Sequence, residues 1–323
     1  MKALAFLAIG KVGIIDIPIP DPGPNDAVIK TTASLICTSD VHTVRGVIEI
    51  PEGRVLGHES VGIVYKAGAN VATCKEGDRV VVNAITPCGK CDPCQRGVAS
   101  QCGGMLGGYK FTTQRDGNMA EYFFVNDADY NVVAIPDDLT DEQALYTTDM
   151  MSTGLVGAEN AEIPAGGTVA IFAQGPVGLC ATASARTLGA GLVIAVDSKP
   201  DRKELAKNMG ADVVVDPTEG DPIEQIMQLT NGLGVDSAIE ALGSPITFEN
   251  CVKATKPGGV ISNIGYHGEA GDTLSIPLPE FGLGMGDKKI HTALCRGGRE
   301  QVIRLLRLIQ NGRIDPTPLT THR

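Results

Sequence analysis

The 323-residue sequence predicts an α/β protein with a β-rich domain and a doubly wound parallel sheet. Before residue 150, short β-type runs alternate with turns, which is typical of an irregular barrel or sandwich. After residue 150, continuous apolar strands alternate with amphipathic helices, which is typical of a parallel sheet covered on both faces. Residues 300–309 form an amphipathic helical pattern through which we expect the chain to return to the first domain. The predicted domains are residues 1–152 with 294–323, and residues 153–293.

The first domain is predicted to open with a hairpin. Residues 3–8 and 14–17 have strand patterns, and Gly10-Lys11-Val12-Gly13 is typical of the turn between them. The apolar run is too short for a signal peptide, and no small-residue cleavage site follows it. Further strands of this domain are predicted at residues 27–31, 60–66, 79–82 and 121–125.

The second domain is predicted from its alternating pattern. Apolar runs predict strands at residues 168–173, 193–197, 213–215, 237–241 and 259–264. Amphipathic runs between them predict helices at residues 176–188, 201–209, 222–230 and 246–255. This order of elements is that of a doubly wound nucleotide-binding sheet.

Composition excludes several kinds of partner. The net charge is −11 and no run of Lys or Arg occurs, which argues against a nucleic acid or an anionic membrane as partner. No stretch approaches the roughly eighteen apolar residues of a membrane span. The nine cysteines are odd in number, so a complete disulfide set within the chain is impossible. We therefore expect reduced thiols and a cytoplasmic location.

Four cysteines lie close together in the first domain and indicate a metal. Cys88, Cys91, Cys94 and Cys102 are spaced three, three and eight residues apart, in a loop rich in Gly and Pro. Four thiolates complete a closed tetrahedral zinc site, which holds a loop but has no open position for chemistry. A disulfide-stapled loop is the alternative, although the chain shows none of the other marks of a small secreted scaffold.

A glycine-rich turn follows the first strand of the second domain. Ala173-Gln174-Gly175-Pro176-Val177-Gly178 matches the G-x-G-x-x-G pattern with its first glycine replaced by alanine. Gly175 would allow the backbone to approach a pyrophosphate, and Gly178 would allow close packing of helix and strand. Pro176 and Val177 would begin a helix whose free N–H groups favour phosphates. An ordinary tight turn is the alternative.

Asp197 ends the next predicted strand, about twenty residues after the glycine turn. A carboxylate there accepts hydrogen bonds from ribose hydroxyls and repels a 2′-phosphate. The sequence therefore predicts NAD as cofactor in preference to NADP. Lys199 and Arg202 lie nearby and would soften this preference.

Further candidates for a metal site are scattered through the first domain. They are Cys37 in Cys37-Thr38-Ser39-Asp40-Val41-His42, His58 and Glu59 in Gly57-His58-Glu59, and Asp149 among Thr and Met residues. A lone Cys is more often a core residue, and a lone His a surface or hydrogen-bonded one. Asp149 is more suggestive, because a buried carboxylate needs a partner.

These segments together resemble the zinc-dependent alcohol dehydrogenases of the medium-chain dehydrogenase/reductase superfamily, over essentially the whole chain. The resemblance implies a GroES-like catalytic domain, a Rossmann domain and two zinc ions per chain. It implies that Cys37, His58 and Asp149 hold a catalytic zinc, with Glu59 beside it. It also implies that the four-cysteine loop holds a structural zinc.

Aspartate as the third ligand resembles the branch that interconverts secondary alcohols and ketones as homotetramers. The segments 103–109 and 284–288 also resemble that branch. Two features depart from it: its familiar members prefer NADP and often lack the structural cysteines, whereas this chain has Asp197 and all four. The family also continues with a further helix and strand beyond the position of Arg323.

The resemblance further implies roles for individual residues. Ser39 would take a proton from the substrate oxygen and His42 would pass it to solvent, while hydride moves to the nicotinamide; His42 as a loop-stabilising surface residue is the alternative. Thr38 and Tyr266 would contact the cofactor. Ala84, Tyr109 and Leu294 would line the substrate pocket, or would simply pack in the core.

Three functions are compatible with these features. The first is a zinc- and NAD-dependent dehydrogenase of secondary, and some primary, alcohols. The second is a polyol or aldehyde dehydrogenase on the same scaffold, for which the pocket offers few polar groups. The third is a zinc- and dinucleotide-binding sensor without turnover, which would not need the proton relay of Ser39 and His42.

Overall fold

The computed structural model describes residues 1–323, which divide into two compact units. Unit 1 comprises Met1–Ser152 and Cys295–Thr317, and unit 2 comprises Thr153–Leu294 and Pro318–Arg323. No helix of the chain combines the length and the apolarity that crossing a membrane requires.

Unit 1 is rich in β-structure. Its strands are β1 (Lys2–Ala8), β2 (Lys11–Asp16), β3 (Ala27–Ser34), β4 (Ser60–Ala67), β5 (Arg79–Val82), β6 (Tyr122–Val125) and β7 (Val132–Ala134). Its helices are α1 (Thr38–Val44), α2 (Asp92–Gln95), α3 (Ala128–Asn131), α4 (Asp141–Leu145), the start of α5 (Met150–Asn160) and α10 (Arg299–Gln310). Strands β1 and β2 form a hairpin, and five strands form an antiparallel sheet in the order β6-β3-β4-β5-β7.

The core of unit 1 lies on one face of this sheet. Buried apolar side chains from alternate positions of the strands pack there, among them Ile29, Val80, Phe123 and Val125, together with Phe111 from outside the strands. The opposite face is covered in part as well, because Val28, Val61 and Val81 are also fully buried. Pairing within this sheet holds the start of β4 in place, and with it His58 and Glu59, which directly precede β4.

Unit 2 is the doubly wound domain. Its strands are β8 (Thr168–Phe172), β9 (Leu192–Val196), β10 (Val213–Val215), β11 (Val235–Glu240), β12 (Thr255–Asn263) and β13 (Lys289–Thr292). The helices between them are α6 (Pro176–Thr187), α7 (Pro200–Asn208), α8 (Pro222–Leu229) and α9 (Pro245–Ala254). All strand pairs are parallel, and the strand order is β10-β9-β8-β11-β12-β13. The α/β fold class with a GroES-like domain and a Rossmann-like domain is confirmed.

The structure differs from the sequence-based elements at a few points. The hairpin turn is tighter than predicted: Ala8 pairs with Lys11, so only Ile9 and Gly10 connect the strands, and Gly10 has a φ of +73°. The sequence analysis did not identify helices α1 to α5 or strands β7 and β13. Strand β13 pairs with β12 at the edge of the sheet, and its short run KIHT has no continuous apolar pattern to reveal it.

Candidate functional site

Cys37, His58 and Asp149 meet at one point of unit 1. The Sγ atom of Cys37 lies 3.9 Å from Oδ2 of Asp149, and Nε2 of His58 lies 3.5 Å from the same oxygen. Each comes from the end of an element: Cys37 precedes α1, His58 lies two residues before β4, and Asp149 precedes α5. Glu59 belongs to the same cluster, and one ligand atom from each of the four lies within 4.8 Å of the others.

These distances fit a zinc ion. With metal–ligand bonds of about 2.0–2.3 Å in a tetrahedron, neighbouring ligand atoms lie roughly 3.3–3.8 Å apart. Oε1 of Glu59 is buried and has no hydrogen-bond partner, as expected for a carboxylate whose natural neighbour is a cation. A thiolate, an imidazole and a carboxylate together form a donor set that zinc accepts.

The electrostatics of the cluster point the same way. Burial, together with the charge of Asp149, raises the pKa of Glu59 to about 8. Burial also raises the pKa of the Cys37 thiol. For His58 burial acts in the opposite direction, but Tyr109, Asp40 and Asp149 outweigh it and raise the pKa well above its ordinary value. A divalent cation would remove this crowding of acidic groups, because it favours the deprotonated form of each ligand.

Asp40 supports the cluster, and the sequence analysis assigned it no role. Its Oδ2 accepts a hydrogen bond from the backbone N–H of Cys37 at 2.9 Å, and its Oδ1 accepts one from Gly57 N–H at 3.2 Å. Oδ1 also lies 3.6 Å from Nδ1 of His58. A carboxylate on Nδ1 leaves Nε2 of the imidazole free to bind a metal. The sequence contained one indication of this role: Asp40 stands at the third position of α1, and an acidic residue there often accepts a hydrogen bond from the N–H of the helix cap.

The other predicted residues of unit 1 surround this cluster to different degrees. Oγ of Ser39 lies 3.4 Å from Nε2 of His58, and the Tyr109 hydroxyl lies 3.2 Å from Nδ1. Ala84 is buried, and its N–H donates to the carbonyl of Thr148, next to Asp149. His42 is partly exposed on α1, and Thr38 is exposed at its first position. Thr148, which was not predicted, lies 3.0 Å from Oε2 of Glu59 through its hydroxyl.

The four remaining cysteines of the metal prediction form a second cluster in unit 1. Sγ of Cys91 lies 3.4 Å from Sγ of Cys94 and 3.8 Å from Sγ of Cys102, and Cys88 completes the group. These are the separations of sulfurs around one tetrahedral zinc. Backbone N–H groups of Cys88 and Cys91 point at sulfur atoms of the cluster. The pKa of the Cys91 thiol falls to about 6, chiefly because the backbone N–H of Cys94 stabilises the thiolate.

The glycine turn of unit 2 joins β8 to α6 as predicted for a dinucleotide site. Gly175 caps α6, Pro176 begins it, and Val177 and Gly178 continue its first turn. A Cβ atom on Gly178 would lie 1.9 Å from the carbonyl oxygen of Ala173, so only glycine permits this approach. Ala173 occupies the motif's first glycine position with a φ of +73°, a conformation that glycine adopts without strain.

Asp197 follows β9 beside this turn, but its carboxylate is already engaged. Oδ2 accepts the N–H of Gln174 at 2.7 Å, and Oδ1 accepts the N–H of Lys199 at 2.8 Å. The guanidinium of Arg202 lies 3.7 Å from Oδ2, and Asp197 is only 8% exposed. Lys199 and Arg202 themselves are exposed at the start of α7. Tyr266, just after β12, is exposed, and Leu294 is half-buried at the end of unit 2.

Comparison with known proteins decides the family. Residues 23–137 match the family model "Alcohol dehydrogenase GroES-like domain", and residues 176–311 match "Zinc-binding dehydrogenase". An alcohol dehydrogenase of Cupriavidus necator is 47% identical, with 100% of this chain and 91% of the relative covered. The chain belongs to the zinc-dependent alcohol dehydrogenases.

Two further relatives of this alcohol dehydrogenase bear on its chemistry. The NADP-dependent isopropanol dehydrogenase of Thermoanaerobacter brockii is 48% identical, with 100% of this chain and 92% of the relative covered. Among solved structures, zinc dependent alcohol dehydrogenase 2 from Streptococcus pneumonia, in its apo form, superposes with a TM-score of 0.90 at 33% identity. That match covers 100% of this chain and 90% of the solved one. The resemblance to the secondary alcohol dehydrogenase branch is confirmed.

The predicted preference for NAD over NADP is wrong. The finding against it is the 48% identical relative, which is named as NADP-dependent. The physical reason lies in Asp197, whose two oxygens accept backbone N–H groups and whose charge faces Arg202. A carboxylate used in this way is not the exposed ribose acceptor that the sequence argument assumed.

Proposed function

We propose that this alcohol dehydrogenase interconverts small secondary alcohols and their ketones with NADP(H), and uses Cys37, His58 and Asp149 to hold the catalytic zinc. The observation that carries the proposal is the convergence of these three side chains, whose ligand atoms all lie within 4.8 Å of one another. The relatives named as isopropanol dehydrogenases support secondary alcohols as substrates.

The chemistry of the step follows from the groups at this point. Zinc bound there would polarise the C–O bond and lower the pKa of an alcohol from about 16 toward about 7, roughly 12 kcal/mol of stabilisation. The residues of the chain supply the rest. Asp40 holds the N–H of Cys37 and faces Nδ1 of His58, which orients both ligands. Glu59, buried beside them, adds a carboxylate whose protonation adjusts the charge of the site.

The proton removed from the substrate needs an acceptor and a path. The hydroxyl of Ser39, 3.4 Å from Nε2 of His58, is the group we propose to accept this proton while it passes its own proton on. His42 lies one turn further along α1 and is partly exposed, so it can release the proton to water. The carbinol carbon, whose oxygen gives up this proton, would transfer its hydride to the nicotinamide of the bound cofactor.

The cofactor proposal depends on the charges beside Asp197. Lys199 and Arg202 are exposed cations at the N-terminus of α7, where the helix adds a positive partial charge. With the carboxylate of Asp197 held by backbone N–H groups, these cations would accept a 2′-phosphate. Steady-state kinetics with NADP and with NAD test this proposal. We expect kcat/KM to be higher with NADP than with NAD, and we expect Arg202→Ala to reduce this preference for NADP.

Substrate and metal content can be tested together on one purified sample. We expect absorbance at the NADPH band to rise with 2-propanol and 2,3-butanediol and not with sorbitol. About two zinc ions per chain are expected, one in each cluster. Activity with sorbitol alone would favour a polyol dehydrogenase. Failure to oxidise any alcohol in the presence of zinc and both dinucleotides would contradict the proposed function.

Assembly and location complete the proposal. Exposed apolar side chains occur on each unit, including Met105 and Leu106 on unit 1 and Leu283 and Met285 on unit 2. We propose a homotetramer, in which neighbouring subunits would cover exposed apolar side chains such as these. The nine cysteines form no disulfide bond, which suits a reducing compartment such as the cytoplasm. Light scattering of the purified chain tests the tetramer, and a monomer at micromolar concentration would contradict it.

A further inference from the structure

A buried acid and a histidine face each other at the carboxyl ends of two neighbouring strands of unit 2. Glu240 ends β11 and is fully buried, and its partner across the ladder is Asn263, which ends β12. His267 follows β12 by four residues, and its Nε2 lies 3.4 Å from Oε2 of Glu240 and 2.8 Å from Oδ1 of Asn263. The chemistry described above makes no use of these side chains.

The hydrogen bonds fix how the histidine is held. The amide Nδ2 of Asn263 donates to the carbonyl of Gly265 at 3.1 Å, which leaves Oδ1 as an acceptor. Nε2 of His267 therefore carries the proton and donates to Asn263, with the carboxylate of Glu240 behind it. The ring also packs edge-on against Phe248, with centroids 6.1 Å apart. The imidazole is thus fixed in both position and tautomer.

Glu240 connects two loops at once. Its Oε1 accepts from the N–H groups of Leu242 and Gly243, both at 2.9 Å, and from the hydroxyl of Thr247 at 2.7 Å. Its backbone carbonyl accepts from the N–H groups of Ile264 and Gly265, at 2.9 and 3.1 Å. One residue therefore holds the loop after β11 (residues 241–244) and the loop after β12 (residues 264–268).

The two loops are packed without space for a side chain between them. A Cβ atom on Gly243, whose φ is +87°, would lie 2.0 Å from the carbonyl oxygen of Tyr266. A Cβ atom on Gly265 would lie 2.1 Å from Oε2 of Glu240. Because the two loops approach so closely, they can pack against each other in only one arrangement. The contact between Glu240 and His267 is the polar link that favours this arrangement.

The position of these loops gives them a function. The strand order reverses between β8 and β11, and ligands of doubly wound sheets bind beyond the carboxyl ends of the strands at such a point. The glycine turn follows β8, and a Cβ on Gly178 of that turn would lie 3.6 Å from Cβ of Ala241. A dinucleotide bound with its pyrophosphate at the turn and its adenosine toward β9 would extend its other half toward β11 and β12. Leu242 and Tyr266, 55% and 43% exposed, lie on the two loops there.

We propose that Glu240 and His267 are positioning residues for the nicotinamide half of the cofactor. They hold the loops 241–244 and 264–268 in the arrangement that presents Leu242 and Tyr266 to the nicotinamide end. Neither side chain contacts the cofactor itself. The inference rests on the proposed function, because it requires that the dinucleotide binds at this edge of the sheet.

The test separates the two halves of the cofactor. Binding of NADPH is measured by its fluorescence, and binding of 2′,5′-ADP, which fills only the adenosine half, by calorimetry. The variants are His267→Phe, which keeps a ring against Phe248, and Glu240→Gln, which places an amide where a carboxylate accepts N–H groups. Glu249→Gln, on α9 and partly exposed, is the matched control.

In both variants we expect the Kd for NADPH to rise about tenfold or more, and the Kd for 2′,5′-ADP to change less than about twofold. The control should change neither. His267→Gln keeps an N–H donor and should lose less than about threefold. If Glu240→Gln fails to fold, His267→Phe decides the matter.

The outcomes distinguish this inference from the proposed function. Equal weakening of both ligands would show a general structural role and overturn the inference, and so would NADPH binding unchanged in His267→Phe. Neither of these two outcomes would contradict the proposed function, provided that the wild-type chain binds both 2′,5′-ADP and NADPH. A wild-type chain that binds neither ligand would contradict the proposed function itself.

Discussion

The Sγ atom of Cys37 lies 3.9 Å from Oδ2 of Asp149, although 112 residues separate them along the chain. Asp149 directly precedes α5, where the partial positive charge of a helix N-terminus favours a carboxylate. His58, before β4, approaches the same oxygen. Three segments that are distant in sequence thus bring a thiol, an imidazole and a carboxylate to one point.

Replacing Cys37 by Ser should remove one zinc ion per chain and abolish turnover. The hydroxyl is a far weaker zinc ligand than a thiolate at neutral pH, so the three-ligand site loses its strongest donor. Metal analysis of the purified variant should show about one zinc instead of about two, while circular dichroism stays that of the wild type. Full activity with unchanged zinc content would contradict the ligand assignment.

Replacing Cys91 by Ser should have the complementary effect and serves as the matched control. It also removes about one zinc, but from the closed four-cysteine cluster, so the main loss should be in thermal stability and yield. Turnover per folded molecule should remain within severalfold of wild type. A variant with normal stability and no activity would reverse the roles assigned to the two clusters.

Replacing Asp40 by Asn should weaken zinc binding in the catalytic cluster. The amide can accept only through one oxygen, so either the N–H of Cys37 or that of Gly57 loses its acceptor, and Nδ1 of His58 loses its carboxylate. Such changes behind a metal ligand typically cost about 10–100-fold in affinity. The rate of zinc release to a chromogenic chelator measures it, with Asp16→Asn, at an exposed position, as control. Equal release rates would remove Asp40 from the site.

Replacing Ala173 by Gly should stabilise unit 2. Alanine pays a steric cost of about 1–2 kcal/mol in the left-handed region where Ala173 lies, whereas glycine does not. Because glycine also gains entropy in the unfolded chain, we expect a net gain of about 1 kcal/mol in the free energy of unfolding. Ala183→Gly, inside helix α6, should instead lose about 1 kcal/mol. Urea denaturation compares the two, and a loss for both would contradict the assigned backbone conformation.

Replacing Asp216 by Asn should destabilise the chain at neutral pH but not in strong acid. A hydrogen bond from Lys203, with further ones from the hydroxyl and N–H of Thr218, lowers the pKa of Asp216 to about 2. The unfolded value is about 3.9, so the stabilisation is complete above that pH and is lost as the pH falls through 2. The difference in urea midpoint between variant and wild type should therefore be constant from pH 7 to 5 and shrink below pH 4. Asp137→Asn, in an exposed loop, should show no such trend.

Patterns that are local in sequence allowed most of the fold to be predicted. Helix α6 directly follows the glycine turn, and the spacing of Cys88, Cys91 and Cys94 is sufficient to indicate one metal. Apolar periodicity likewise located five of the six strands of the parallel sheet, with ends at most four residues from the observed ones, because burial on both faces leaves apolar runs. These features depend on neighbours along the chain, which is why a single sequence reveals them.

Features that depend on distant contacts could not be predicted in this way. The acceptor role of Asp40 depends on Gly57, and the engagement of Asp197 depends on Gln174, 23 residues earlier. The sequence shows a carboxylate at the end of a strand but not which N–H groups donate hydrogen bonds to it. The sequence argument therefore predicted the wrong cofactor. Glu240 and His267 went unnoticed for the same reason, because their partnership exists only once β11 and β12 are paired.

The four-cysteine cluster is drawn from a single continuous segment, residues 88–102, whereas the other metal ligands span residues 37–149. During synthesis the cysteine loop can therefore capture its ion while most of the polypeptide is still being made. The site proposed for the second ion includes Asp149, so it could be completed only after that residue has left the ribosome. Metal scarcity in the growing cell would accordingly yield chains that are correctly shaped yet inert.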